Sequence, residues 1–359
     1  MTALRFLPLA ALWVAPLAAQ TVSRHSLRGA DVALYDLAGA VQIEAGSGDV
    51  VAVEVTRGGE DAAQLKVAEG ELGGQPTLRL VYPGERIRYP GMGDGSTDIR
   101  VRDDGTFGGH GGHHNHDYDA DSDWSGRRVR ISSGGAGLEA WADLRVSVPA
   151  GHMLTLHLAV GKVTATNVDG RLRLVTAAAP VTVKGLKGEL AVHVGSGDVR
   201  LSGIEGDVQA ETGSGAFELS RARSREVTVE TGSGDVTAYG IEAEHLSVET
   251  GSGDVKITAA KAPRVGLETG SGTVTVELQG RVDRLDVQTG SGDVAITAPA
   301  NLSAELVMDT GSGEISTDFP LTVTHTARDH LRGTVGDGKG KISVETGSGG
   351  VRLLKARSS

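Results

Sequence analysis

The chain contains no cysteine, which excludes disulfides, thiolate metal sites, thiol nucleophiles and the lipid-bearing cysteine of a lipoprotein together. Aromatic residues are only 3% of the 359 positions, so platforms for stacking sugars or bases are scarce. Beyond residue 17 no apolar run approaches the ~20 residues of a membrane helix, and no basic stop-transfer run follows. Positive charge is in deficit: 35 Lys and Arg against 46 Asp and Glu give a formal net charge of -11. Nucleic acid and anionic lipid are therefore poor electrostatic matches, and cationic partners or divalent metals better ones. What is abundant is glycine, at 53 residues, pointing to many turns around a narrow aliphatic core.

The start of the chain reads as a secretory signal peptide over residues 1–19. Arg5 precedes an apolar run from Phe6 to Leu17, and the small residues Ala18 and Ala19 suit cleavage. The expectation is an exported protein in the periplasm, at the cell surface or outside the cell, with no membrane-spanning segment after cleavage.

A repeat dominates the rest. Gly-Ser-Gly occurs at 46, 195, 213, 232, 251, 270, 290, 311 and 347. Two residues after each triplet from 195 stands an aliphatic or aromatic residue, and two degenerate upstream copies extend the column: Val163, Val181, Val199, Phe217, Val236, Val255, Val274, Val294, Ile315 and Val351. Around each triplet apolar and polar residues alternate, as in Leu246-Ser-Val-Glu-Thr250, which is the period of a strand. Glycine supplies the positive φ of a sharp corner. Each repeat is therefore two short strands and two corners. Such a unit cannot bury its own apolar face, so copies must stack, ~4.8 Å apart, around a shared core.

The fold class that follows is all-β, a parallel β-solenoid of about ten regular rungs of 18–21 residues, with irregular N-terminal rungs or a cap. The division expected is 20–150 for the N-terminal β region, with a His/Asp-rich insert at 103–126, and 151–359 for the repetitive solenoid. The final repeat step of 36 holds an irregular insertion at 317–341, read as a hairpin or an extra rung. From the glycine to the aliphatic column the distance is fixed, whereas the distance onward to the next triplet grows from 14 to 17 residues. Variation is thus confined to the second corner, the better place for rung-specific recognition.

The repeated Thr-Gly-Ser-Gly-Asp-Val, the lead-in Val146-Ser-Val-Pro-Ala-Gly151 and the loop Gly336-Asp-Gly-Lys-Gly340 resemble the bacterial putative-adhesin family of envelope β-solenoids, a domain of unknown function related to head-GIN auto-transporter adhesin-like domains. The resemblance implies an exported, right-handed, single-stranded solenoid with an adhesive role, and brings no catalytic residues. The insert departs from it.

Three features carry potential chemistry. The insert gathers His110, His113, His114 and His116 with Asp117, Asp119, Asp121 and Asp123; imidazoles suit Zn or Ni, and closely spaced carboxylates suit Ca. Glu211, Glu230, Glu249 and Glu268 stack in one outward column continued by Gln288, Asp309 and Glu345, beside a turn column of Asp198, Asp235, Asp254 and Asp293. Bound Ca²⁺ would relieve their repulsion, while a solvated face with Asp-to-backbone bonds is the simpler reading. Thr212, Thr231, Thr250, Thr269, Thr289, Thr310 and Thr346 also align, as expected of a buried hydroxyl ladder between rungs.

The reading is a non-catalytic surface-interaction scaffold that requires no cofactor, its partner an envelope or extracellular protein or glycan. The alternatives are a metal-binding envelope protein acting through the insert, or a polysaccharide-acting β-helix enzyme. The enzyme needs a unique pair of carboxylates beside sugar-binding aromatics, and these acids form regular columns instead.

Overall fold

The computed structural model describes residues 21–108 and 126–356. Apart from the short 3-10 turns Ala62–Gln64 and Pro90–Met92, its regular structure is all strand. The rung at Val163 lies within one long strand, His152–Ala178; from Val181 onward each rung supplies two strands, and equivalent segments stack in parallel register. One wall carries Val163, Val181, Val199, Phe217, Val236, Val255, Val274 and Val294 opposite one another in succession. The other wall carries Leu172, Leu190, Val208, Val227, Leu246, Val265 and Leu285. Both columns point inward, and a single buried core runs the length of the molecule. The period of two thus places the residues, and burial of the small aliphatic faces drives the stack.

The Gly-Ser-Gly corner is held by three rung-to-rung devices. Its second glycine takes φ of +127 to +152 in the six copies from Gly215 to Gly349 that continue the stack, for example +149 at Gly253. The turn aspartates accept the backbone N–H one rung on: Asp198 from Ala216 at 3.1 Å, Asp235 from Asp254 at 3.0 Å, Asp254 from Thr273 at 2.7 Å and Asp293 from Gly350 at 2.7 Å. The aligned threonines are buried, but they do not bond one another. Thr250, Thr269, Thr289 and Thr346 donate instead to the carbonyls of Gly234, Gly253, Gly272 and Gly292, at 3.4, 3.2, 3.3 and 3.1 Å. A corner carbonyl pointing inward needs a donor, and the threonine hydroxyl is the nearest one.

The N-terminal region supplies both a rung and a cap. Asp31–Gly46 lies parallel beneath His152–Ala178, Leu34 opposite Leu156 and Val41 opposite Val163. The chain therefore enters the solenoid long before residue 150. Trp141–Pro149 stacks parallel on the second half of that rung, and Val50–Gly58 and Thr21–Arg28 close the end antiparallel. Here the motif Gly46-Ser-Gly-Asp-Val50 is no rung corner. It reverses the chain across Trp141–Pro149, which occupies the outer edge of that rung, where a preceding rung would sit.

At the other end the order of rungs departs from the order of the sequence. Arg284–Ser291 and Val294–Ala298 pair with Gly340–Thr346 and Val351–Lys355, and these in turn pair with Ala304–Thr310 and Ile315–Thr317. The last repeat is inserted between its two predecessors, so Val351 lies between Val294 and Ile315. The irregular insertion is a hairpin, Thr322–Thr326 with His330–Val335, whose second strand pairs antiparallel with Ala304–Thr310 and covers the terminal rung.

A small sheet of Arg86–Arg88, Ser96–Val101, Arg127–Ser132 and Leu138–Glu139 packs against the strand His152–Ala178, beside the first rung. With both faces covered, residues 32–39 are buried without alternation. Within this run Asp36 is fully buried; its Oδ1 accepts from the Tyr82 hydroxyl at 2.7 Å and from the Ala38 N–H at 3.4 Å. Burial pushes its pKa up from 3.8 to about 8, against those two hydrogen bonds and with the help of the Asp143 charge. Between those values the folded chain holds a proton that the unfolded chain releases. The stabilisation is complete near pH 4 and is lost as pH rises through about 8, on the order of 5 kcal/mol in all. Asp36→Asn is expected to flatten the pH dependence of the urea midpoint across that window; an unchanged slope would reject the assignment.

Candidate functional site

The second corner has a defined geometry. In each rung from Val163 to Val255 the first-wall strand carries a residue with left-handed backbone: Asn167, Gly185, Gly203, Arg221, Gly240 and Ala259, with φ from 52 to 72. The register skips that position, pairing Ser202 with Ser220 and then Ile204 with Ala222. The bulge breaks the alternation and returns the next residue to the core, as at Ile204, Ala222 and Ile241. Stacked over successive rungs, these bulges form a concave shelf of about 410 Å³. The extra residues of the longer repeats also fall around this corner, since the first-wall strands up to the bulge and the second-wall strands beyond it keep a constant register, whereas a register shift follows Ile257 at the bulge itself.

One side of the shelf is a charge ladder that sequence reading missed. Asp169, Lys187, Glu205, Arg223, Glu242 and Lys261 stand opposite one another in successive rungs and alternate in sign. Arg223 reaches Glu242 at 3.3 Å, Lys261 reaches Glu242 at 2.9 Å, and Lys187 lies 4.0 Å from Glu205. Hydrogen bonds from Lys261 and then Arg223 hold the Glu242 carboxyl below its ordinary pKa. The signal was present in the repeat, two residues beyond each bulge. Without knowledge of the bulge, those positions do not line up with the strand alternation.

The acidic column predicted from sequence is real: Glu211, Glu230, Glu249, Glu268 and Gln288 are register partners, followed in space by Glu345 and then Asp309. It begins at His193, whose Nδ1 lies 3.0 Å from Glu211. The turn aspartates form a separate column, each tied to the backbone as described. Among the described residues no three His, Asp or Glu side chains converge as metal ligands. His110, His113, His114, His116, Asp117, Asp119, Asp121 and Asp123 all lie outside the described residues. A second groove, of about 750 Å³, runs from Tyr35 and His157 to Asp207 and Thr228; there the His157 ring stacks on Tyr35 at 4.4 Å.

The family profile described as Toastrack DUF4097 matches residues 142–354. No curated protein matches the chain. Among solved structures, a putative cell adhesion protein from Clostridium sporogenes is similar at 8% identity and TM-score 0.24, covering 94% of this chain and 100% of its own. A putative adhesin from Bacteroides fragilis is similar at 9% identity and TM-score 0.38, covering 94% and 98%. A putative adhesin from Parabacteroides merdae has 9% identity and TM-score 0.32, covering 95% and 98%.

Proposed function

This chain belongs to the Toastrack DUF4097 family, and on that premise we propose that it is an exported envelope scaffold that binds a protein partner without chemical turnover. The observation that carries the reading is the second-corner shelf. It is concave, repeated over several rungs, lined by Glu205, Arg223, Glu242 and Lys261, and located where repeat length varies while the rest of each rung does not. A polar segment carrying both signs of charge fits a ladder that offers both. The shelf is backed by Ile204 and Ala222 and bordered by the exposed Arg221, so side-chain reach, not enclosure, would supply specificity.

The test begins with fractionation of cells, followed by binding of the purified protein to envelope proteins and to glycans. An envelope protein should be retained, and Arg223→Ala with Lys261→Ala should weaken its retention about tenfold or more, because two charge-assisted contacts are removed. Retention untouched by that pair, or conversion of a bound glycan into product, would overturn the reading. Metal analysis of the same tag-free preparation, with and without residues 108–123, tests Zn, Ni or Ca binding by the insert.

A further inference from the structure

The second wall of the solenoid presents three outward columns. The first is Glu226, His245, Arg264, Arg284, Lys341 and Glu305 in spatial order, and the third is Glu230, Glu249, Glu268, Gln288, Glu345 and Asp309. Four residues of strand separate them, about 13 Å. Between them lie the short side chains of Thr228, Ser247, Gly266, Asp286 and Ser343, only half-exposed. The wall therefore carries a basic ridge and an acidic ridge flanking a shallow trough.

These ridges contrast with the second corner. There the signs alternate, and the charges pair within the chain. On this wall like charges stack one rung apart, which costs stability. Among the described residues Arg264, Lys341, Glu249, Glu268 and Glu345 have no ion-pair partner. Arg284 alone of the basic ridge is paired, with Asp286 in the trough. These exposed charges are thus left available to a second molecule.

The geometry points to a second copy of this chain, docked wall to wall about a two-fold axis parallel to the solenoid. That rotation leaves every rung opposite itself and exchanges the ridges. His245 then faces Glu249 of the second copy, Arg264 faces Glu268 of the second copy and Lys341 faces Glu345 of the second copy, each contact occurring twice. A two-fold axis across the solenoid would set acid against acid. At the ends the ridges lose their complementarity: Glu226 would meet Glu230 at one end, and Glu305 would meet Asp309, already contacted by His330, at the other, so the contact is confined to the four rungs between. Four rungs span about 20 Å, so each copy buries roughly 300–400 Å², well under the ~800 Å² per partner of a standard stable interface. The dimer is accordingly weak, reversible and sensitive to salt.

Sedimentation equilibrium of the intact protein tests this. Dimer is expected at about 50 mM salt, with association at least ~10-fold weaker at about 500 mM. Arg264→Glu with Lys341→Glu leaves two acidic ridges, and Glu268→Lys with Glu345→Lys leaves two basic ones. Each double variant should be monomeric alone, and an equimolar mixture should form a one-to-one heterodimer. That rescue also shows that both variants are folded. The proposal fails if the wild type stays monomeric up to about 0.5 mM at low salt, which would put any association beyond the ~mM range of weak complexes. It fails equally if either variant dimerises as the wild type does, or if the mixture stays monomeric. The shelf lies on the first wall, around the second corner from the basic ridge, and its charged residues Glu205, Arg223, Glu242 and Lys261 belong to neither ridge, so the outcome is independent of the partner-binding reading.

Discussion

Replacing Gly253 by alanine is expected to destabilise the protein by about 3–5 kcal/mol. Two effects combine at this residue. Its φ of +149 belongs to a region that side chains avoid, and an added Cβ would stand 2.2 Å from the Gly234 carbonyl oxygen and 2.6 Å from its carbon. The obstacle is backbone, so no rotamer relieves it. Nor can the rung below retreat, because Gly234 rests in the same way on Gly215, where a Cβ would meet the carbonyl at 2.1 Å. Gly48 is the control, since it has positive φ but nothing within 4 Å of a built Cβ; alanine there should cost only the ~1–2 kcal/mol of backbone strain. Urea midpoints of the two variants decide the matter. Equal losses would mean that close stacking does not explain the glycine column.

Ending the chain before Gly340 is the second large perturbation. Among the described residues the strands Gly340–Thr346 and Val351–Lys355 are the sole link in the sheet between the rung at 284–298 and the rung at 304–317. They also bury Ile342, Val344, Val351 and Leu353 almost completely. Those four side chains represent roughly 6–12 kcal/mol of gross apolar burial, comparable to the whole stability of a domain. The expected result is loss of amide protection throughout 304–335, with Leu306 and Met308 exposed, while rungs between 181 and 278 keep theirs, since each rung contacts only its neighbours. A chain ending near residue 300 should be better behaved than one ending at 339, because it presents no orphaned cap. Retained protection at 304–310 in the longer truncation would contradict the inserted-rung topology.

How far the sequence was legible depended on whether a feature was local and periodic. The strand period, the two corners and the inward column from Val181 to Val294 could be read directly, because alternation and turn chemistry act over a few residues. The acidic column followed from the repeat length alone. The threonine column was legible in position but not in bonding: the carbonyl that each hydroxyl meets belongs to the corner of the rung below. The basic ridge of His245, Arg264, Arg284 and Lys341 went unread because its members are two different residue types plus a histidine, spread over unequal repeats and interrupted by the insertion of the last rung.

The identical short words Gly-Ser-Gly at 46, 311 and 347 mark the division. By itself the sequence determined that each is a tight turn flanked by strands, since glycine conformations and alternating side chains are properties of the local chain. Only the tertiary structure decided that the first reverses the chain into a cap and that the third lies between the second and the body of the rod. Which strand fills the place beside a given rung is a competition among segments far apart in sequence, settled by the apolar surface and backbone hydrogen bonds that each can satisfy there. The repeat fixed how a rung is built, and long-range packing fixed the order in which rungs stand.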